Sequence, residues 1–440
     1  MKGNNKSRSR SSPGPFSSTR ESTGFSALWR TGTSAQTSRW LCITCLRILL
    51  SLGFDRENAM LPLPPRIWRC WHALRFVTTC RHSLGHARQS STKSHRQYDA
   101  LRVLFCGADQ FSIHSLRGLH GLQQERAGTI ASIDVVCRPD KRVGRGLKQV
   151  QEVPIKSVAR DLGFTVHQID TFRDWSLPNP FDLVITVSFG LLVPARVLAA
   201  ASYGGLNVHP SLLPEFRGPA PIQHTLLNRK THTGVTVQTM HPTKFDHGMI
   251  LAQTPQPGLS VPDQCTPTSL AEVLGPLGSE MLCKAVKDGL FVPPLRDIGP
   301  SLPVRQASHA PKIHPEDRRI NWNDMTAADV VLRDRVLGRL WDMTTYERCM
   351  DGREMRQPRK RVTFTGPWKR ATGPPQLSDQ CMNPGEPVVC DLDGNQVLGI
   401  NAADRHVVVP AAATIEGGPK DQGLASLLHG LRTMLSTQLH

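Results

Sequence analysis

Apolar and polar positions divide the chain into two regimes. From Leu101 onward, short and nearly continuous apolar runs alternate with longer stretches in which apolar residues recur every three or four positions. The short runs at 101–107, 133–137, 164–169, 181–188, 205–209, 234–240 and 249–254 have the length and content of buried strands. The helical period occupies 111–124, 191–201 and 268–289. Strands and helices alternating at this spacing predict an α/β fold with a mostly parallel sheet. A Pro-rich stretch follows at 291–311. Beyond it come a helical run at 326–341, strand-like runs at 361–365, 387–391, 396–400 and 405–409, and a closing helix at 422–435, which together predict a small β-rich second domain. Over residues 1–59 no period is sustained.

Charge follows the same division. The 440 residues include 53 Lys+Arg and 36 Asp+Glu, a formal charge of +17. Residues 1–98 hold 16 of the cations and only three acids, Glu21, Asp55 and Glu57, so +13 sits in the leader and +4 in the body. A pI of 9.8 therefore describes a basic leader on a mildly basic body and does not by itself mark a nucleic-acid binder. With 39% hydrophobic residues the chain can build a core, which excludes a wholly disordered protein. No run approaches the ~20 uninterrupted apolar residues of a membrane span, and no membrane partner is expected.

The leader has two parts. Residues 1–59, rich in Ser, Thr, Arg and Gly, predict disorder. From Met60 there are six Arg, one Lys and no acid before Asp99; on a helical wheel Ile67, Cys70, Trp71, Leu74 and Val77 fall together, apart from Arg66, Arg69 and Arg75. An amphipathic, Arg-rich, acid-free segment is the make-up of a mitochondrial transit peptide, which implies a mitochondrial (matrix) location; the alternative reading is a generic basic tail. Because such signals are terminal, Met60 is a candidate start of translation. The expected organisation is a leader over 1–99, a catalytic domain over 100–290, a linker over 291–311 and a β-rich domain over 312–440. Cys42 and Cys45 have CxxC spacing, but no second pair completes a zinc site.

The densest candidate chemistry is Asn207-Val208-His209-Pro210-Ser211-Leu212-Leu213-Pro214-Glu215-Phe216-Arg217-Gly218-Pro219-Ala220-Pro221. Strand alternation puts Asn207 and His209 on one face, about 6–7 Å apart. Pro210 then stops the strand, and sites in open α/β sheets form beyond the carboxyl ends of strands. Residue types alone leave two readings: a structural pair, or an amide and an imidazole converging on a crevice. Asp246, in Phe245-Asp246-His247-Gly248, is either a solvated loop acid or a carboxylate that fixes His209 and favours its charged form. Gly248 permits close backbone approach. His209, His224, His232 and His241 show no zinc spacing, so no metal is expected. Gly144 and Gly146 lack the GxGxxG spacing of a dinucleotide site. Arg138, Lys141, Arg142, Arg145 and Lys148 crowd one short segment against a single acid, Asp140. Arg353, Arg356, Arg359, Lys360, Arg361, Lys369 and Arg370 form a second cluster facing Glu354.

Taken together, NVHPSLLPEFRGPAPI, TGVTVQTM and FDHGMI resemble the folate-dependent formyltransferases, and VLFCGADQF, RPDKRVGRG, DLVITVSFG and APKIHPEDRRINW recur in matching order. The likeness is close over 101–322 and loose over 323–440. Within the family it points to the mitochondrial branch that acts on methionyl-tRNA. The resemblance implies a Rossmann-like catalytic domain followed by an OB-like domain, 10-formyltetrahydrofolate as co-substrate, initiator methionyl-tRNA as partner, and action as a monomer. It assigns Asn207 and protonated His209 as donors to the negative charge developing on the formyl oxygen, with Asp246 holding His209 oriented. Ser211, Leu212, Leu213, Pro214 and Gly248 are expected to line the folate, Ser211 as a loop hydrogen-bonding residue and not as a nucleophile. Arg142, Arg145 and Lys148 are expected to enter the tRNA acceptor stem, and Arg359, Lys360 and Arg361 to grip the RNA backbone. Ala108 stands where family members have Thr, which puts the contact of Asp109 and Gln110 with the methionyl end in doubt. Three rivals remain, of which an NAD-binding α/β enzyme is disfavoured by the missing glycine fingerprint. A formyltransferase acting on a non-tRNA amine gives the basic clusters no role, and an inactive RNA-binding relative gives Asn207, His209 and Asp246 none.

Overall fold

Strand β1 (Leu101–Gly107) has Leu101, Val103, Leu104, Phe105 and Cys106 all essentially inaccessible, which is how a strand covered on both faces at the centre of a parallel sheet reads. The structure, a computed structural model, describes residues 98–125, 128–176, 179–302, 305–350, 359–371 and 383–438. The leader with Cys42, Cys45, Met60 and its amphipathic segment lies outside the described residues, as do Arg353, Glu354 and Arg356. After β1 come α1 (Gln110–Glu125), β2 (Ile130–Cys137), β3 (Lys141–Val143), β4 (Gln149–Gln151), α2 (Pro154–Asp161), β5 (Thr165–Gln168), β6 (Leu183–Val187), α3 (Ala195–Ala200) and β7 (Gly205–His209). The chain continues through α4 (Pro221–Leu227), β8 (His232–Thr233), β9 (Thr236–Thr239), β10 (Ile250–Gln253), β11 (Leu259–Ser260) and α5 (Pro267–Lys287).

Seven strands form the main sheet in the order β10-β9-β7-β6-β1-β2-β5. The five from β5 to β7 are parallel, while β9 and β10 complete the edge antiparallel. The chain leaves β1 towards β2 and returns on its other side at β6. That reversal opens a crevice beyond the carboxyl ends, as in other open α/β sheets. Helices α1 and α5 cover one face with Leu116, Leu119, Leu270, Leu274 and Leu282, all fully buried. Ser279 Oγ donates to His114 O at 2.8 Å between these two helices. The apolar run at 191–201 is helical only over α3. Pro194 disfavours helix in the residue before it, so Val193 is buried from outside the helix.

The remainder comprises α6 (Ala327–Leu337), β12 (Leu340–Asp342), α7 (Thr345–Cys349), β13 (Val362–Thr365), β14 (Lys369–Arg370), β15 (Pro387–Leu392), β16 (Asn395–Asn401), β17 (Val407–Val409), β18 (Ala412–Ile415) and α8 (Gly423–Gln438). The helical run expected at 326–341 stops at Leu337, because Gly338 turns to φ 76 and Leu340 starts a strand. Two antiparallel sheets, β12-β13-β18 and β14-β17-β16-β15, carry the expected β-rich character. They share a core that includes Trp322, Phe364, Trp368, Ile400, Leu427 and Leu431. Helix α6 belongs to both cores: Ala327 and Val330 pack here, Leu332, Val336 and Leu337 against the larger domain. Among the described residues, Cys106, Cys137, Cys265, Cys349 and Cys390 are buried free thiols, and Cys283 is half-buried. No helix of the described residues is long and apolar enough to cross a membrane.

Candidate active site

Strand β7 supplies the first two groups. Asn207 and His209 share a face by alternation, and antiparallel pairing with β9 sets Gln238 opposite Asn207 and Thr236 opposite His209. Beyond β9 the chain turns through residues 241–249. Asp246 takes φ 56 there, a left-handed conformation that a short polar side chain tolerates, and its carboxylate comes back to β7.

That carboxylate, 7% exposed, is the hub of the site. Its Oδ1 accepts from Asn207 Nδ2 at 3.1 Å and Gln238 Nε2 at 3.0 Å, and its Oδ2 accepts from Gly218 N at 2.8 Å. His209 Nδ1 lies 3.4 Å from Oδ1. A buried charge needs this density of donors to offset its lost hydration. Asn207 is fixed from the other side by Thr186, whose Oγ1 donates to Asn207 Oδ1 at 3.0 Å. With its oxygen thus engaged and one amide hydrogen on Asp246, the second amide hydrogen of Asn207 has no acceptor among the described residues.

The His209 ring is buried and asymmetric. Its Nε2 is 2.9 Å from Phe216 O. A carbonyl only accepts, so Nε2 carries hydrogen and Nδ1 is the nitrogen that exchanges a proton. The 3.4 Å from Nδ1 to Asp246 Oδ1 is ion-pair reach, but longer than the ~2.7–2.9 Å of a charge-assisted hydrogen bond. Nδ1 is therefore the open end of the ring.

The other expected site residues divide by depth. Ser211 Oγ donates to Glu215 O at 2.7 Å and braces the loop. Leu212 and Leu213 are 2% and 3% exposed, so they are packed inside the loop, and Pro214 is half-buried. Gly248 is glycine for packing: a Cβ there would lie 1.7 Å from Thr239 O, and its N–H donates to Gln238 Oε1 at 3.2 Å. Asp109 caps α1, accepting from Ser112 N at 3.0 Å. Thr186, Gln238, Gly218 N–H and Phe216 O complete the constellation and were not among the expected residues. A glutamine buried within a Val/Thr strand was the one available signal.

The first basic segment is a hairpin, β3 on β4. Lys141, Arg142 and Lys148 are exposed, whereas Arg138 pairs with Asp170 at 3.4 Å. Asp140 is the hairpin's anchor: its carboxylate takes an ion pair from the buried Lys156 of α2 and accepts from Val153 N at 3.3 Å. Lys156 holds the Asp140 carboxyl below the usual carboxylate range, and Asp140 raises Lys156 in return. In the second cluster Arg359 pairs with Glu347 at 3.3 Å and Lys369 with Asp393 at 3.3 Å, acids distant in sequence. Lys360 lies 4.9 Å from the Tyr346 ring centre, and Arg361 lies 5.4 Å from that of Trp341.

The carboxyl edge of an open α/β sheet thus joins an amide, an imidazole and a buried carboxylate, with Ser211 committed to its own loop. Residues 101–286 match the formyl transferase family, and the chain belongs to that family. A Saccharomyces cerevisiae relative named methionyl-tRNA formyltransferase, mitochondrial, is 33% identical over 303 residues, which span 60% of this chain and 73% of that protein. The Homo sapiens protein of the same name is 34% identical over 251 residues, 57% of this chain and 60% of that one. Among solved structures, a sugar 3N-formyl transferase aligns with 70% of this chain and 97% of its own, at 13% identity and a TM-score of 0.42.

Proposed function

We propose that the chain transfers the formyl group of 10-formyltetrahydrofolate to the α-amine of methionyl-tRNA, making the formylated initiator for mitochondrial translation. The observation that carries this reading is the Asp246 hub, which leaves one amide hydrogen of Asn207 and Nδ1 of His209 unspent on a common strand face. Two such donors suit a carbonyl oxygen that gains charge. The names of the mitochondrial relatives support the choice of amine and of compartment.

As the neutral amine attacks the formyl carbon, negative charge builds on the formyl oxygen. Asn207 donates its free amide hydrogen to that oxygen, and the imidazolium form of His209 donates Nδ1–H, with Asp246 as its counter-charge. Breaking the bond from the formyl carbon to N10 requires a proton on N10, and the attacking amine must lose one. Nδ1, the one ring nitrogen free to exchange, is placed to relay it. Phosphate recognition falls to the cations of the hairpin, Arg142, Arg145 and Lys148, and to Arg359, Lys360 and Arg361. Exposed ion pairs such as Arg359 with Glu347 are worth little and exchange readily for phosphate. Residues 60–99 direct the chain to the mitochondrial matrix, and 100–290 and 312–440 act as catalytic and RNA-holding domains.

The test is formyl transfer from 10-formyltetrahydrofolate by the purified chain, comparing charged initiator tRNA with methionine esters and sugar amines. Transfer to charged tRNA alone is expected. Equal transfer to small amines would favour the non-tRNA reading, and no transfer to any acceptor would favour the inactive relative.

A further inference from the structure

The segment 305–311, expected to be a plain linker, runs along the loop that follows β7 as a hydrogen-bonded rail. Ser308 N donates to Pro214 O at 3.3 Å, Arg217 N to Ser308 O at 2.9 Å, Ala310 N to Arg217 O at 2.7 Å and Ala220 N to Ala310 O at 3.2 Å. Arg305 Nη1 donates to Glu215 Oε2 at 3.0 Å. The fit is close: Gly218, at φ +123, would place a Cβ 2.6 Å from Ala310 O.

One contact differs from the rest. Ser308 Oγ accepts from Phe216 N at 2.9 Å, and the carbonyl of the same Phe216 accepts from His209 Nε2 at 2.9 Å. Phe216 is a bulky residue at φ 58. Left-handed backbone is unfavourable for such a residue and persists only where its surroundings hold it. Its N–H is held by a linker hydroxyl and its carbonyl by the imidazole.

We infer that Ser308 is a positioning residue for His209. By holding Phe216 in its left-handed conformation, Ser308 keeps the Phe216 carbonyl on Nε2 and so decides which ring nitrogen exchanges the proton. This rests on the reading of His209 as the imidazole that faces the formyl oxygen. Without the hydroxyl, the Phe216 N–H loses its side-chain acceptor, the residue relaxes, and its carbonyl leaves Nε2. The nearest acceptor left to the ring is then Asp246 Oδ1, 3.4 Å from Nδ1, which draws the proton from Nε2 towards Nδ1. The segment that joins the two parts of the chain therefore also sets the proton inventory of the imidazole.

The experiment combines steady-state kinetics with nitrogen-15 NMR of the imidazole in the full chain, the His209 signals being assigned by their loss in His209→Gln. Ser308→Ala is expected to lower kcat about three- to tenfold, the range for one hydrogen bond, with KM for folate and for charged tRNA unchanged. Its His209 nitrogen shifts should move from a single Nε2–H tautomer towards the average of two. Ser308→Thr, which keeps the hydroxyl, should restore both readouts. Parent kcat and parent nitrogen shifts in Ser308→Ala would overturn the inference, as would a Ser308→Thr chain of parent thermal stability that restores neither. The NMR arm needs no substrate. Shifts that move in Ser308→Ala while the parent chain fails to formylate charged tRNA would reject the functional reading and leave the positioning intact.

Discussion

Replacing Asp246 by Asn preserves the shape of the side chain and removes its charge, so it separates electrostatics from packing at the hub. If the amide oxygen takes the Oδ1 position, it still accepts from Asn207 and Gln238, but as a neutral acceptor, and its NH2 meets Gly218 N–H across 2.8 Å, donor against donor. The flipped amide is worse, since NH2 then faces Asn207 and Gln238. Two weakened bonds at roughly 1 kcal/mol each and one orphaned donor at roughly 1–3 kcal/mol remove about 3–5 kcal/mol from the network. The imidazolium loses its counter-charge as well: at 3.4 Å and an effective dielectric of about 20, that attraction is about 5 kcal/mol. The Asn dipole and entering water return part of it. A remaining loss of about 3 kcal/mol at the transition state corresponds to a fall of about 10²-fold in turnover. Single-turnover formylation of charged tRNA measures this, with thermal unfolding and folate-analogue affinity recorded on the same protein. The expected result is a fall of 10²-fold or more with folate affinity within a few-fold of the parent. Turnover within threefold of the parent, from folded protein, would refute the hub as the source of catalysis.

Arg142→Ala combined with Lys148→Ala should weaken charged-tRNA binding and flatten its logarithmic dependence on salt by about two phosphate contacts, leaving folate affinity unchanged; an unaltered slope would make the hairpin a solvated surface. Gly248→Ala cannot fit its Cβ 1.7 Å from Thr239 O, so chemical denaturation should show a loss of about 2 kcal/mol or more; a loss under 0.5 kcal/mol would contradict the packing reading. The hairpin anchor has a definite pH signature. The depressed Asp140 contributes stability above its unfolded value that is lost as pH falls through the lower folded one, and the raised Lys156 contributes stability below its unfolded value that is lost as pH rises through the higher folded one. Amide exchange over 141–151, corrected for intrinsic rates, should therefore be flat from about pH 5 to 9; a loosening near pH 6 would assign the anchor elsewhere.

What the sequence discloses is what local pattern encodes. Asn207 and His209 are legible because alternation and Pro210 place them on one face at a strand end, and β1, β2 and β6 are legible because their apolar runs are nearly unbroken. Thr186 is not, and Gln238 shows only as a glutamine within a Val/Thr run, since their relation to Asn207 exists only once β9 and β6 have paired with β7. The hairpin of β3 and β4 escapes for another reason: its strands are three residues long and almost wholly exposed, so no hydrophobic alternation marks them. Ser308 is hidden because a Pro-rich stretch reads as spacer, and its backbone bonds go to a loop some 90 residues earlier. Helix α3 falls short of its apolar run because Pro194 sets its start, and α6 because Gly338 sets its end.

The buried cysteines give the molecule built-in chemical reporters. Burial pushes the Cys137 thiol up to about 11 and Cys349 up to about 12. At neutral pH such a thiol is held almost wholly in the unreactive protonated form, even before access is considered. Cys106 and Cys137 lie within the large sheet, Cys349 in the core shared by the two smaller sheets and Cys390 on β15. At each of these buried thiols an alkylating reagent therefore meets silence until the surrounding structure opens. Read peptide by peptide, one labelling time course on the unmodified chain times the breathing of the catalytic sheet and of the β-rich domain independently.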